Sequence, residues 1–129
     1  PTGLHSVSHT STAADMAKIF RYALQNETFR TIVTSPSHYT APTEQHPNGL
    51  TLTSTVYKAF TQAGLEMGNV RGGKTGFTLE ARQCLATYYS GDDGDYILIT
   101  MGAGDGTNTT YDNARDASII YRAYVQKKK

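Results

Sequence analysis

Apolar positions Met16, Ile19, Phe20, Ala23 and Leu24 recur at i, i+3, i+4, i+7 and i+8, the spacing of a helix with one apolar face. Thr12 followed by Asp15 resembles a capping box, with Asp in place of the usual Glu or Gln, so the helix is predicted to start there and to stop near Asn26. Asn26 then caps a short second helix carrying Phe29, Ile32 and Val33. From Ser35 to Asn69 the chain is rich in Ser, Thr, Pro and Gly without a long period. That composition predicts mostly irregular structure, with a short helix around Tyr57 to Ala63.

Three segments then read as strands of an antiparallel meander, near 70–78, 84–90 and 95–102. Ser90, Gly91, Asp92, Asp93 and Gly94 supply the turn between the last two. After the glycine-rich stretch Gly102 to Gly106, a final helix is predicted from Thr110 to Gln126, with Ala114, Ala117, Tyr121, Tyr124 and Val125 on one side. Such a helix needs a sheet to lie on. The fold class is therefore α/β in the α+β sense, an antiparallel sheet with flanking helices.

Composition narrows the chemistry. The 129 residues suffice for one domain with a real core, and a 38% apolar content is well above that of disordered chains. Twelve Lys and Arg against eleven Asp and Glu leave a net charge of +1, so no attraction to nucleic acid is implied. The terminal run Lys127, Lys128, Lys129 reads as a solvated tail or as a juxtamembrane segment. Cys84 is the single cysteine, and His5 and His9 precede the first helical pattern, so neither a disulfide nor a metal site is expected. No signal peptide and no apolar run long enough to span a membrane is present. A start at Pro1 instead of Met suggests an excised piece or a processed product.

The densest polar chemistry lies in Gly72-Gly73-Lys74-Thr75-Gly76-Phe77-Thr78, where three glycines within a predicted strand signal close approach by a ligand or another backbone. Two readings compete. Gly68 to Thr75 fits the P-loop pattern G-x-x-x-x-G-K-T, which cradles phosphates on backbone N–H groups. That motif must follow a buried strand and open a helix, and neither the residues before Gly68 nor those after Thr75 fit. The other reading is the K-T-G of penicillin-recognising serine enzymes, which works with S-x-x-K and S-D-N motifs.

The second reading gains from two more segments. Pro1-Thr2-Gly3-Leu4-His5 with His9-Thr10-Ser11-Thr12-Ala13-Ala14-Asp15-Met16-Ala17, and Gly73 to Thr78 with Cys84-Leu85, resemble in order and spacing the serine D-alanyl-D-alanine carboxypeptidases, low-molecular-mass penicillin-binding proteins. The resemblance covers nearly the whole chain and is to the C-terminal half of that family's catalytic domain. It implies residues 1–129 as a single segment with a partial penicillin-binding, serine β-lactamase-like transpeptidase fold. It also implies removal of the terminal D-alanine from peptidoglycan stem peptides through an acyl-serine intermediate, acylation of the parent by β-lactams, no cofactor, and an extracytoplasmic place in the bacterial envelope.

By the same resemblance Lys74 is the catalytic residue of this segment, contributing charge beside the nucleophile and the substrate. Thr75 and Thr78 would bind the terminal carboxylate, Gly76 would let the strand approach the nucleophile, and the Phe77 N–H would be an oxyanion donor. No Ser-x-x-Lys occurs in the chain. Thr55-Val56-Tyr57-Lys58 imitates it with a threonine, and Tyr111-Asp112-Asn113 imitates the second motif on the wrong side of K-T-G; the first reads as coincidence and the second as a helix start. The expectation is that both missing motifs lie upstream and that the segment alone is inactive. A sheet lacking its N-terminal strand partner is further expected to self-associate through its open edge. Two departures from the family stand out: Gly104-Asp105-Gly106-Thr107 lacks an arginine common there, and Arg82 replaces a frequent glycine. A non-catalytic domain that binds wall peptides is the alternative.

Overall fold

A computed structural model describes residues 4–92 and 94–125. The elements in chain order are α1 (Ala13–Ala23), α2 (Glu27–Thr34), β1 (Ser37–Thr40), β2 (Leu50–Thr53), α3 (Thr55–Gln62), β3 (Val70–Thr78), β4 (Arg82–Gly91), β5 (Gly94–Ala103) and α4 (Asp112–Tyr124). The three strands expected of the meander form an antiparallel sheet in the order β3-β4-β5.

Strand β4 lies in the centre and alternates from Gln83 to Tyr89, with Gln83, Leu85, Thr87 and Tyr89 buried and the residues between them half-buried. The buried face meets α3 and α4 in one cluster built from Val56, Ala59, Phe60, Leu85, Tyr89, Ala114, Ala117 and Tyr121. Tyr121 stacks on Tyr89 at a centroid distance of 5.0 Å and shares a 2.8 Å hydrogen bond with the Thr87 hydroxyl, so its polar end is satisfied where it is buried. The final helix thus lies on the sheet as expected. Tyr124, assigned from the sequence to its inner face, is 71% exposed.

On the other face α1 packs against β5 and α2 against β3. The Thr12 side chain accepts from the Asp15 N–H at 3.1 Å, and Asn26 does the same for Phe29 at 3.0 Å, so both expected caps are in place. Phe20 and Phe29 meet edge to face and join the two helices. Ile19, expected on the inner face of α1, is 58% exposed because the helix buries the stripe through Met16, Ala17, Phe20 and Leu24 instead.

The stretch from Ser35 to Asn69 is more ordered than its composition suggests. It contains a short hairpin, β1 paired with β2 from Ser37↔Thr53 to Thr40↔Leu50, and α3 begins at Thr55, two residues before the expected position. Both strands are almost wholly exposed; Leu50-Thr51-Leu52-Thr53 alternates over only four residues, a signal that the reading of composition passed over, and Ser37 to Thr40 carries none. Among the described residues no helix is long and apolar enough to cross a membrane.

Candidate active-site strand

β3 forms one edge of the sheet, and its pairing with β4 sets where each side chain of the glycine-rich segment goes. Lys74 stands opposite Ala86 and Gly76 opposite Cys84, on the face away from α4, whereas Thr75 stands opposite Leu85 and Phe77 opposite Gln83. Consecutive residues of K-T-G therefore leave the strand on opposite faces. Lys74 is exposed, and its Nζ curls back to donate to the Thr75 carbonyl. The Thr75 hydroxyl donates to that of Thr55, the first residue of α3, at 2.6 Å. Phe77 and Thr78 are half-buried.

The three glycines differ in what requires them. At Gly73 φ is +151°, and an added Cβ would sit 1.9 Å from the Ala86 carbonyl oxygen. At Gly72 φ is +150°, and a Cβ would lie 2.2 Å from the Val33 oxygen at the end of α2. Both are imposed by this chain's own backbone. Gly76 is different: a Cβ there would meet only the Cβ of Cys84, at 3.8 Å, which is ordinary contact.

Thr78 closes the β3–β4 turn, accepting from the Ala81 N–H at 3.0 Å. It also borders a small hollow of about 190 Å³ shared with His5, His9 and Met101. His5 Nδ1 lies 3.8 Å from the Glu80 carboxylate, whose pKa is lowered first by its own backbone N–H, then by the Thr78 hydroxyl, with His5 a minor contributor. Arg82 now has an evident role: at φ +56° it occupies the conformation a glycine adopts readily, and its guanidinium donates to the Gly104 carbonyl at 3.0 Å. It thereby ties the turn to the segment after β5.

Thr55, which sequence reasoning set aside, is in contact with the K-T-G segment through the Thr75 hydroxyl. Its resemblance to a nucleophile motif remains superficial, since Lys58 is exposed and makes no hydrogen bond to it. Its contact with Thr75 spans twenty residues and leaves no periodic signal. Tyr111-Asp112-Asn113 is the start of α4, as expected. Among the described residues no three His, Cys, Asp or Glu side chains are grouped as metal ligands. The segment Pro1 to Gly3 and the tail Lys127 to Lys129 lie outside the described residues.

An antiparallel sheet with helices on both faces and a K-T-G edge strand defines the penicillin-binding, transpeptidase-like fold, and solved structures agree. A crystal structure of an evolved penicillin-binding protein homologue from Mycobacterium tuberculosis has a TM-score of 0.67 at 23% identity, covering 95% of this chain and 45% of that one. A D-alanyl-D-alanine carboxypeptidase from the same organism gives 0.66 at 23% identity, with the same coverage. A cysteine-to-alanine mutant of a Streptomyces DD-transpeptidase gives 0.66 at 21% identity, covering 89% of this chain and 42% of that one. Residues 1–105 match the D-alanyl-D-alanine carboxypeptidase family, and the chain belongs to it. No curated protein sequence matches. The chain spans a little under half the length of these solved relatives.

Proposed function

We propose that residues 1–129 are the C-terminal part of the catalytic domain of a serine-type D-Ala-D-Ala carboxypeptidase acting at the bacterial cell envelope. They supply its K-T-G strand. One observation carries this reading: Gly72 and Gly73 are required by the fold, but nothing among the described residues requires a glycine at position 76. A strand edge kept free of Cβ without an internal reason is a strand edge kept clear for a partner in the site.

In the reaction a serine hydroxyl from an S-x-x-K segment attacks the carbonyl of the penultimate D-alanine of a peptidoglycan stem peptide. The terminal D-alanine leaves with a proton, and water then releases the acyl group from the serine. Lys74 supplies fixed positive charge beside the attacking oxygen. The Phe77 N–H donates to the developing oxyanion, and Thr75 holds the terminal carboxylate; Thr78, three residues on and on the other face, closes the β3–β4 turn instead. For Thr75 to take this role its hydroxyl must turn from Thr55 to the ligand. β-Lactams acylate the same serine.

The test is fluorescent penicillin, resolved on a denaturing gel. The chain alone should take no label, because its residues stabilise charge but offer no activated nucleophile. Adding an upstream segment with S-x-x-K and S-x-N should restore labelling, and Lys74→Ala should abolish it. Label on the pure chain would overturn the assignment of the nucleophile. Binding of D-Ala-D-Ala peptides without any labelling in the reconstituted pair would favour the non-catalytic wall-peptide domain.

A further inference from the structure

At the opposite end of β3 from the β3–β4 turn, an open cleft of about 440 Å³ lies between α2 and the β4 end of the sheet. Arg30 and Thr31 line it from α2, Tyr57 from α3, Arg71 from β3, and Tyr88 and Ser90 from β4. Lys74 is not among its lining residues. We propose that this cleft binds a phosphate group, held between the guanidinium groups of Arg30 and Arg71.

The backbone presents Arg71 deliberately. The β3–β4 register shifts between Val70 and Gly72, so Arg71 falls in a bulge, which re-aims its side chain. Its Nη2 donates to the Ser90 carbonyl at 3.1 Å, and the Tyr57 hydroxyl donates to its carbonyl at 3.1 Å. The guanidinium is thus anchored with most of its five donors still available. Arg30 makes no side-chain hydrogen bond or salt bridge among the described residues, and the Thr31 hydroxyl likewise has no partner there.

Two guanidinium charges in one cleft call for a counter-charge. The carboxylate in their field is Asp95, which is already engaged by hydrogen bonds from Ser90 and from Tyr88 at 3.0 Å. Its pKa is lowered first by those hydroxyls and further by Arg30 and Arg71. Among the described residues that line the cleft there are two arginines and no carboxylate, so the lining is net positive. A carboxylate ligand is filled by a single guanidinium fork, whereas two forks and a free hydroxyl match the three or more terminal oxygens and higher charge of phosphate. This site does not depend on the K-T-G reading.

The experiment is an amide-shift titration of the chain at constant ionic strength with inorganic phosphate, with acetate, and with vesicles containing phosphatidic acid, whose headgroup is a phosphomonoester. Phosphate should give saturable shifts at Arg71, Gly72 and Ser90. Arg30→Gln with Arg71→Gln should weaken it at least about tenfold, and Arg30→Lys with Arg71→Lys should fall between. Asp95→Asn should tighten it severalfold by removing the opposing charge, which a purely structural cluster would not do. Lys74→Ala should leave it unchanged. A unimolecular melt of each variant separates loss of the site from loss of the fold. Saturable vesicle binding lost in the glutamine pair places the phosphate on a lipid headgroup, and its absence alongside phosphate binding places it on a soluble ligand. A phosphate response equal in the wild type and the glutamine pair, or acetate binding as tightly as phosphate, would overturn the proposal.

Discussion

The Thr75 hydroxyl donates to the Thr55 hydroxyl at 2.6 Å, so the threonine of K-T-G is fastened to the first turn of α3. The pair is exposed, and a neutral hydrogen bond of this kind contributes about 0.5–1 kcal/mol. A double-mutant cycle with Thr55→Ala and Thr75→Ala, read by denaturant unfolding, should show coupling of about 0.5 kcal/mol. Additive effects would mean that the two hydroxyls do not hold each other in solution.

Gly73→Ala should destabilise the chain by at least about 2 kcal/mol, because the new methyl group meets a backbone carbonyl in a conformation hostile to L residues. Gly76→Ala should change stability by less than about 0.5 kcal/mol. In the reconstituted enzyme the order of importance reverses for Gly76, where the methyl group should cut acylation by penicillin without lowering the melting temperature. Equal destabilisation by the two changes would remove the reason for treating Gly76 as functional.

Burial pushes the Tyr121 hydroxyl up to about 12, against a smaller opposing effect of its bond to Thr87. Below the ordinary tyrosine value of about 10 both folded and unfolded chains carry the neutral phenol, and this contribution to stability is intact. Above it the unfolded chain ionises first. Stability should therefore fall as pH rises from about 10 towards 12, by about 2 kcal/mol. Tyr121→Phe should flatten that slope in urea melts taken at increasing pH. A slope unchanged by the substitution would assign the loss to other groups.

β5 is the second edge of the sheet, ten residues long, with Met101 and the nearby Ile119 of α4 exposed and the buried Thr100 hydroxyl lacking a partner among the described residues. Long apolar edges recruit other strands. The chain should self-associate in sedimentation across the micromolar range, and Ile97→Lys should reduce association by charging the strand. A single monomeric species over that range would argue that this edge is adequately protected.

Much of this architecture was legible because its elements carry local signals. Thr12 and Asn26 cap helices through their own side chains, and β4 is rich in strand-forming residues and ends in a run of turn residues, so capping signals and composition located them. The β1–β2 hairpin was missed, since Ser37 to Thr40 shows no alternation and that of Leu50 to Thr53 is four residues long in a stretch rich in Ser, Thr, Pro and Gly. The site divided in the same way. Lys74 to Thr78 form a contiguous motif, whereas Thr55 reaches Thr75 and Arg30 reaches the cleft of Arg71 only through tertiary structure. A single sequence has no short-range signature for such meetings.

The start of α4 is the clearest case of an element defined from a distance. Tyr111 at its N-cap adopts a left-handed conformation and offers no side-chain cap. The buried Gln83 of β4 takes over: its amide oxygen accepts from the Asn113 N–H at 3.3 Å, and its amide nitrogen donates to the Thr107 carbonyl and the Thr110 hydroxyl at 2.9 and 2.8 Å. The Asn113 side chain meets the Ala114 N–H locally at 2.8 Å, but the Asn113 N–H itself takes its partner from a residue thirty positions earlier in the chain. Order of assembly follows from this dependence. The β3–β4 hairpin closes over a short loop and can form early, whereas the Asn113 N–H at the start of α4 has its side-chain partner only once Gln83 is in place to meet it. Gln83→Ala should accordingly slow folding less than it speeds unfolding, as expected for a contact made late on the way to the native state.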